Sequence, residues 1–226
     1  MTPLADVDLA LAGTAIVVDQ VNALCARAEA TGAPVLLRLG GGKHPAAPYD
    51  VAVQAVNRWE RALRRLERLP AMTVAAVDGR CAGPALDVLL TVDYRVASAT
   101  TTLRIPSVGA GPWPGMALYR LANQVGTGRA RRMALFGADV TAARAEDWGL
   151  LDEVVDDPLA RAAEVVTRSR DGKELAIRRR LLLEAASTSF EDALGAHLAA
   201  CDRALRRVAT DPPSDEVGQP GGAVGV

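Results

Sequence analysis

The sequence predicts an α/β fold, with one α/β domain and a helical extension. The first observation is the order of elements over residues 71–97, where a buried strand, a turn, a helix and a second strand follow one another. The second is the length of 226 residues, enough for one such domain with a sizeable core. The third is composition: 50% of the residues are hydrophobic but only 4% are aromatic, so the core must consist of Ala, Val and Leu.

The N-terminal segment predicts a β-β-α-β opening. Residues 6–19 alternate loosely and indicate two short strands that break at Gly13-Thr14. A helix is predicted over 21–30, because its apolar residues recur on one face, and the following Thr31-Gly32 ends it. The next strand is predicted over 35–39.

A glycine-rich loop follows that strand, with the sequence Gly40-Gly41-Gly42-Lys43-His44. A phosphate-binding P-loop needs a glycine where this chain has Leu37, and a serine or threonine where it has His44. The spacing therefore favours an ordinary loop, with His44 exposed rather than catalytic.

The segment 51–69 predicts a long amphipathic helix. One stripe of this helix is apolar and consists of Val56, Trp59, Leu63, Leu66 and Leu69. Charged residues surround the stripe, namely Arg58, Arg61, Arg64, Arg65, Glu67 and Arg68. A charge run at helical spacing is usually a solvated face, and we expect the same here.

The stretch 71–115 is the predicted functional centre. A strand over 71–77 ends at the Asp78-Gly79 turn, and a helix over 85–92 has Pro84 in its first turn, where a missing N–H costs nothing. A strand is predicted over 94–97, and a Gly- and Pro-rich shaped turn over 106–115. Glycine turns that lead into a helix place backbone donors against anionic or oxyanionic ligands.

The rest of the chain is predicted to be mainly helical. Apolar periodicity indicates helices over 129–136, 142–148, 159–168, 175–186 and 190–208, and a strand over 151–155. The last helix carries an apolar stripe typical of packing: Leu194, Leu198, Cys201 and Leu205. Residues 211–226 are rich in Pro and Gly, which predicts a disordered tail.

The order of these motifs resembles the crotonase (enoyl-CoA hydratase/isomerase) superfamily. The features that match are the D-G turn, the glycine turn, an acidic residue in the next helix, D-x-R-x-A at 93–97 and P-x-x-x-G-x-x-P-G-like spacing towards Gly115. The match is strong over about 70–155 and weaker to about 210. It implies a spiral of ββα units over 1–158 and a C-terminal helical oligomerisation region over 159–210, assembled as homotrimers or dimers of trimers.

The resemblance also implies roles for single residues. Hydratases of this superfamily use two glutamates; here the first position is Asp87 and the second is Ser107, a poor acid or base without a histidine partner. We therefore expect a single catalytic carboxylate, Asp87. The alternative is that Asp87 is a first-turn acid favoured by the helix dipole. The position of one thioester-binding amide is Pro84, which has no N–H, so that either Ala85 donates instead or the oxyanion hole is not formed.

By the same resemblance, the substrate-binding residues are expected to be Gly83, Ala85, Ser107, Trp113 and Gly115, with Tyr119 in the core. Arg178 and Arg179 are expected to bind the coenzyme A phosphates, and the arginines of 51–69 are a second possibility. The other oxyanion donor belongs to the degenerate loop after residue 40 and cannot be assigned.

Several classes of protein are disfavoured. The net charge of −1 gives no electrostatic reason to expect nucleic acid or an anionic membrane as a partner, and no run is long enough to span a membrane. Cys25, Cys81 and Cys201 are distant and odd in number, so neither a disulfide framework nor a zinc site is predicted. We expect a cytoplasmic protein without a metal or resident cofactor, for which a coenzyme A thioester is substrate.

Within the superfamily, the segments VNALCARAE, VNRWERALRRLERLP and WPGMALYRL are most similar to the DpgB proteins of dihydroxyphenylglycine biosynthesis. That resemblance implies an antibiotic pathway, with a type III polyketide synthase and a sister crotonase as partners. The chain would assist cyclisation or dehydration of a polyketidyl-CoA to 3,5-dihydroxyphenylacetyl-CoA, as a dehydratase-type lyase. The alternatives are a stand-alone enoyl-CoA hydratase or isomerase, and a non-catalytic scaffolding subunit.

Overall fold

The computed structural model describes residues 7–8, 14–40, 52–108, 111–168 and 172–210. Two compact units divide the chain, Met1–Arg180 and Leu181–Val226. The strands are β1 (Val7–Asp8), β2 (Val35–Gly40), β3 (Thr73–Asp78), β4 (Arg80–Ala82), β5 (Tyr94–Ala97), β6 (Thr102–Arg104), β7 (Ser107–Val108), β8 (Gly111–Pro112), β9 (Val140–Thr141) and β10 (Glu153–Val154). The helices are α1 (Thr14–Thr31), α2 (Val53–Glu67), α3 (Pro84–Leu89), α4 (Ala117–Phe136), α5 (Ala142–Asp147), α6 (Pro158–Thr167), α7 (Gly172–Ala185) and α8 (Phe190–Thr210).

The first unit is built on a parallel sheet with the strand order β1-β2-β3-β5-β10. Strand β3 lies in the middle and is buried on both faces, which explains its continuous apolar sequence. Residues on one face of the sheet pack against α6, and those on the other face pack against α1, α2 and α3. The α/β fold predicted from the sequence is therefore confirmed.

A second, smaller sheet has the order β4-β6-β9 and continues from the main sheet through the turn at Gly79. The predicted shaped turn over 106–115 is in part regular, since β7 and β8 pair as an antiparallel hairpin in which Ser107 lies opposite Pro112. The prediction missed this hairpin because glycine and proline usually interrupt strands.

The N-terminal prediction was wrong in one element. The second predicted strand is the start of α1, whose buried residues Val17, Val21, Leu24, Cys25 and Ala28 follow a helical spacing. The apparent break at Gly13-Thr14 is thus where a helix begins, and the opening is β-α-β.

The start of α4 was also missed, because Gly126 interrupts the helical pattern with a φ of 75° and divides α4 into two helical segments. Its first segment buries Ala117 and Leu121, whereas Tyr119, which was predicted to lie in the core, is 58% exposed. The other predicted helices form, with ends shifted by up to a few residues.

In the second unit, the apolar stripe on α8 is exposed in the single chain. Its packing against another subunit therefore stays a prediction. None of the helices within the described ranges is long and apolar enough to cross a membrane.

Candidate active site

A small apolar cavity lies where α2, α3, the segment after β6 and the start of α4 meet. Its volume is about 30 Å³, which is room for a water molecule or two. The walls are formed by Val56, Trp59, Glu60, Gly83, Pro84, Leu86, Asp87, Ile105, Pro106, Trp113 and Ala117. Among these mostly apolar side chains are two acids, Glu60 and Asp87, which makes the cavity a candidate for proton-transfer chemistry.

The local sequence explains how α3 presents Asp87. Gly83 precedes the helix with a φ of 58°, a conformation that glycine adopts without strain, and Pro84 starts the helix. The backbone N–H of Asp87 donates to the carbonyl of Gly83 at 3.0 Å. This places the carboxyl group one helical turn along the wall from Gly83.

The carboxyl group of Asp87 is held by one hydrogen bond, which the indole Nε1 of Trp59 donates to Oδ2 at 2.9 Å. The pKa of Asp87 is raised from 3.8 to about 6, chiefly by burial; the hydrogen bond from Trp59 and the charge of Arg120 lower it, and the negative charge of Glu60 adds to the increase. An acid with a pKa near 6 can exchange a proton close to neutral pH, as general acid–base catalysis requires.

Glu60 belongs to a buried group of charges between α2 and α4. Arg120, which is 7% exposed, places its Nη2 2.9 Å from Oε2 of Glu60 and its Nε 4.0 Å from Oε1 of Glu67. Glu67 is also paired with Arg64. The expectation of a single catalytic carboxylate, Asp87, stays a prediction, although α2 brings a second acid, Glu60, to the wall of this cavity.

The predicted substrate-binding residues are only partly brought together. Gly83 and Trp113 line the cavity beside Asp87, whereas Ala85, Ser107 and Gly115 are not wall residues. Gly115 instead supports Trp113, since a Cβ added there would lie 2.4 Å from the indole Nε1. The binding roles of these five residues stay predictions.

The donors of the expected oxyanion hole stay predictions. Pro84, at the position that the resemblance gives to a donor, lines the cavity without an N–H to offer. Of the two neighbouring amides, that of Gly83 belongs to a wall residue and that of Ala85 does not. The loop with His44, which was expected to hold the other donor, lies outside the described residues.

The expected role of Arg179 at the coenzyme A phosphates needs correction. Its guanidinium donates to both carboxylate oxygens of Asp93 and to the carbonyls of Glu67, Leu69 and Ala71. These bonds use all five N–H groups of the side chain, so none is left for a phosphate. Arg179 therefore fixes α7 to the core, while Arg178 is exposed and remains a candidate.

A second cavity, of about 290 Å³, lies at the carboxyl ends of β2 and β3. Ligands often bind at such strand ends in α/β proteins. However, its walls contain three acids, Asp78, Asp156 and Asp157, and one cation, Arg38, and this excess of negative charge disfavours an anionic ligand. Oδ1 of Asp78 also accepts hydrogen bonds from the hydroxyls of Ser98 and Thr100. We therefore place the candidate active site in the smaller, apolar cavity.

Sequence reasoning missed the polar roles of three residues. Trp59 was predicted correctly as buried, but not as the hydrogen-bond donor to Asp87. Glu60 and Arg120 lie on α2 and α4, far apart in sequence, and no short motif links them. The available signal was weak: an acid directly next to the buried stripe of an otherwise arginine-rich helix.

Comparison with known proteins gives a family and several relatives that agree with one another. The profile of the family described as "Enoyl-CoA hydratase/isomerase" matches residues 41–214. An "Enoyl-CoA-hydratase" of Amycolatopsis orientalis is 48% identical over 198 residues, which cover 85% of this chain and 91% of that protein.

Solved structures show the same fold. An enoyl-CoA hydratase/isomerase from Marinobacter aquaeolei superposes with a TM-score of 0.69 at 18% identity, covering 84% of this chain and 81% of that one. An enoyl-CoA hydratase from Polaromonas sp. JS666 gives a TM-score of 0.69 at 22% identity, with 88% and 83% covered. At this level of identity the likeness concerns the fold alone.

Proposed function

We propose, from the fact that this chain belongs to the enoyl-CoA hydratase/isomerase family, that its apolar cavity receives the acyl part of a coenzyme A thioester and that Asp87 transfers a proton there. The observation that carries this proposal is the position of Asp87, a carboxyl group with a raised pKa that accepts the indole N–H of Trp59 in an otherwise mostly apolar cavity wall.

The chemistry follows from that environment. The hydrogen atoms on the carbon next to a thioester are weakly acidic, and their removal places negative charge on the thioester oxygen. Asp87 removes or returns such a proton, and Trp59 holds the carboxyl group in place while it does so. A backbone donor at Gly83 stabilises the oxygen.

The cavity must widen to admit an acyl group, because about 30 Å³ is far below the volume of a ligand pocket. The half-buried Trp113 rests on Gly115, where a Cβ would clash with its indole ring, and a movement of this side chain would widen the cavity. The two tryptophans in the cavity wall favour an unsaturated or aromatic acyl group.

We further propose that the substrate is a polyketidyl-CoA, and that the chain assists a type III polyketide synthase, together with a sister crotonase, in forming 3,5-dihydroxyphenylacetyl-CoA in the cytoplasm. The support for this finer assignment is the segment similarity to DpgB proteins, and the two tryptophans in the cavity wall are compatible with it. Arg178 then contacts the coenzyme A phosphates, and α8 joins subunits of a trimer or a dimer of trimers.

Reconstitution tests this proposal. A type III synthase that uses malonyl-CoA is assayed alone, with the wild-type chain, and with Asp87→Asn, and 3,5-dihydroxyphenylacetyl-CoA is quantified. We expect stimulation by the wild type that Asp87→Asn loses and that the control Asp147→Asn, an exposed residue of α5, keeps. Equal stimulation by the wild type and Asp87→Asn would remove Asp87 from the mechanism.

A second candidate function is that of a stand-alone enoyl-CoA hydratase or isomerase, which the presence of Glu60 beside Asp87 favours. Turnover of crotonyl-CoA by the purified chain alone distinguishes the two. Rapid hydration supports the stand-alone enzyme, and its absence together with stimulation of the synthase supports the assisting role.

A further inference from the structure

The geometry points to Glu60 as a second catalytic residue, which exchanges a proton with the β-oxygen of the acyl group while Asp87 serves the α-carbon. This inference rests on the proposed function, because it requires an acyl thioester in the same cavity. It assigns a role to a residue of α2, outside the glycine-turn region where the sequence places the chemistry.

The first observation is that Glu60 and Asp87 reach one cavity from two different helices. Trp59, directly before Glu60 on α2, donates its indole N–H to Asp87. This bond fixes the segment Trp59-Glu60 against α3, so the relative position of the two acids is determined by folding and not by a mobile loop.

The second observation is that one carboxylate oxygen of Glu60 has no hydrogen-bond donor. Its Oε2 is buried and, within the described part of the chain, accepts no hydrogen bond, although Nη2 of Arg120 lies 2.9 Å away. The contact is therefore an ion pair in which no N–H points at the oxygen. Nη1 of Arg120 is likewise buried without a partner among the described residues. Unsatisfied buried polar atoms are costly, and a bound water or hydroxyl group would satisfy them.

The third observation separates Glu60 from its neighbour Glu67. Both acids face Arg120, but Glu67 is also paired with Arg64 and is not a wall of the cavity. Glu67 can therefore neutralise the charge of Arg120 without Glu60. An ion pair with a purely structural role would not need Glu60 to line the cavity.

The proposed step is the addition of water to an α,β-unsaturated acyl thioester. The Glu60 carboxylate, which is ion-paired with Arg120, takes a proton from water while the water oxygen forms a bond to the β-carbon. The electron pair of the double bond moves to the α-carbon, which takes the proton of the Asp87 carboxylic acid. Elimination of water from a 3-hydroxyacyl thioester is the reverse and uses the same two groups.

The charged groups around the two acids determine how the rate depends on pH. Asp87 is surrounded by Glu60 from α2 and Arg120 from α4, and Arg120 is also approached by Glu67. Hydration needs Asp87 in its protonated form, so its rate is expected to fall as the pH rises through about 6, the pKa of Asp87.

The test uses the full-length chain with two probes. Elimination is measured with 3-hydroxybutyryl-CoA, and deuterium uptake at the α-carbon with butyryl-CoA in D₂O, which has no β-oxygen and reports on Asp87 alone. We expect Glu60→Gln to slow elimination by about 100-fold or more, the usual size of an acid–base contribution, and to leave deuterium uptake within a few-fold of the wild type. The matched control Glu67→Gln keeps both activities.

Glu60→Asp provides a second variant in case Glu60→Gln does not fold, and we expect it to retain part of the elimination activity, because it keeps a carboxyl group at this position. The inference is overturned if Glu60→Gln eliminates water as fast as the wild type, or if both activities fall equally. A wild type that takes up deuterium but eliminates no water also overturns it and leaves the proposed function standing. A wild type inactive with both probes removes the proposed function and this inference together.

Discussion

The substitution Asp87→Asn is expected to stabilise the fold while removing proton transfer. The pKa of Asp87 is about 6 in the folded chain, against an ordinary value of 3.8. Because the folded-state pKa is the higher one, the stability that comes from holding this proton is complete below about pH 4 and is lost as the pH rises through 6. At pH 8 the folded chain therefore contains a buried charge that is unfavourable.

The size of this effect follows from the difference between the two pKa values. About two pH units at 1.36 kcal/mol each give about 3 kcal/mol, which is an upper limit because Asp87 keeps partial contact with solvent. Asparagine resembles the protonated acid in shape and can still accept the N–H of Trp59. We expect the free energy of unfolding of Asp87→Asn to match the wild type at pH 4 and to exceed it by about 1–3 kcal/mol at pH 8.

Urea denaturation of both proteins between pH 4 and 8 measures this difference. Glu153→Gln is a control whose loss of stability is nearly constant over this range, because hydrogen bonds from Arg161 and Tyr94 lower the pKa of Glu153 from 4.5 to about 2. Its stabilising effect is present above about pH 4.5 and is lost as the pH falls through 2. An Asp87→Asn variant whose stability relative to the wild type does not change with pH would refute the reasoning about burial.

Three further outcomes are expected. Trp59→Phe removes the N–H that Oδ2 of Asp87 accepts, so the pKa of Asp87 rises above 6; an unchanged carboxyl titration by NMR would contradict this. Pro84→Ala adds a backbone N–H at the cavity wall and is expected to speed deuterium uptake from butyryl-CoA, whereas an equal or lower rate argues against an oxyanion donor there. Arg179→Met leaves Asp93 unpaired. We expect it to lower the free energy of unfolding, measured by urea denaturation, by about 3–5 kcal/mol without weakening coenzyme A binding. Unchanged stability with weaker coenzyme A binding would instead support a phosphate contact by Arg179.

The sequence was sufficient to predict the secondary-structure elements whose hydrophobic periodicity is unambiguous. Strands β2, β3 and β5 are short apolar runs between turn residues, and each was predicted within about two residues of its observed bounds. The start of α1 was taken for a strand because a few alternating residues satisfy both periods. The start of α4 was missed because Gly126 divides one helical pattern into two.

Only those residues of the site that lie close together in the sequence could be predicted. Gly83 and Asp87 belong to one continuous motif, and both line the cavity. The contacts of Asp87 come from Trp59 and Glu60, which precede it by more than twenty residues, and the neighbouring charge is Arg120. Pairings between separate helices depend on tertiary packing, which a local sequence pattern does not predict. For the same reason Arg179 was expected at a phosphate when its partner is Asp93.

Deuterium uptake at the α-carbon of butyryl-CoA, compared between the wild type and Asp87→Asn, tests most directly whether this cavity activates an acyl thioester. We predict enzyme-dependent uptake by the wild type and a loss of about 100-fold or more in the variant, with the fold intact by circular dichroism. Uptake at the same rate in both proteins, or none in the wild type above the uncatalysed background, would contradict the account.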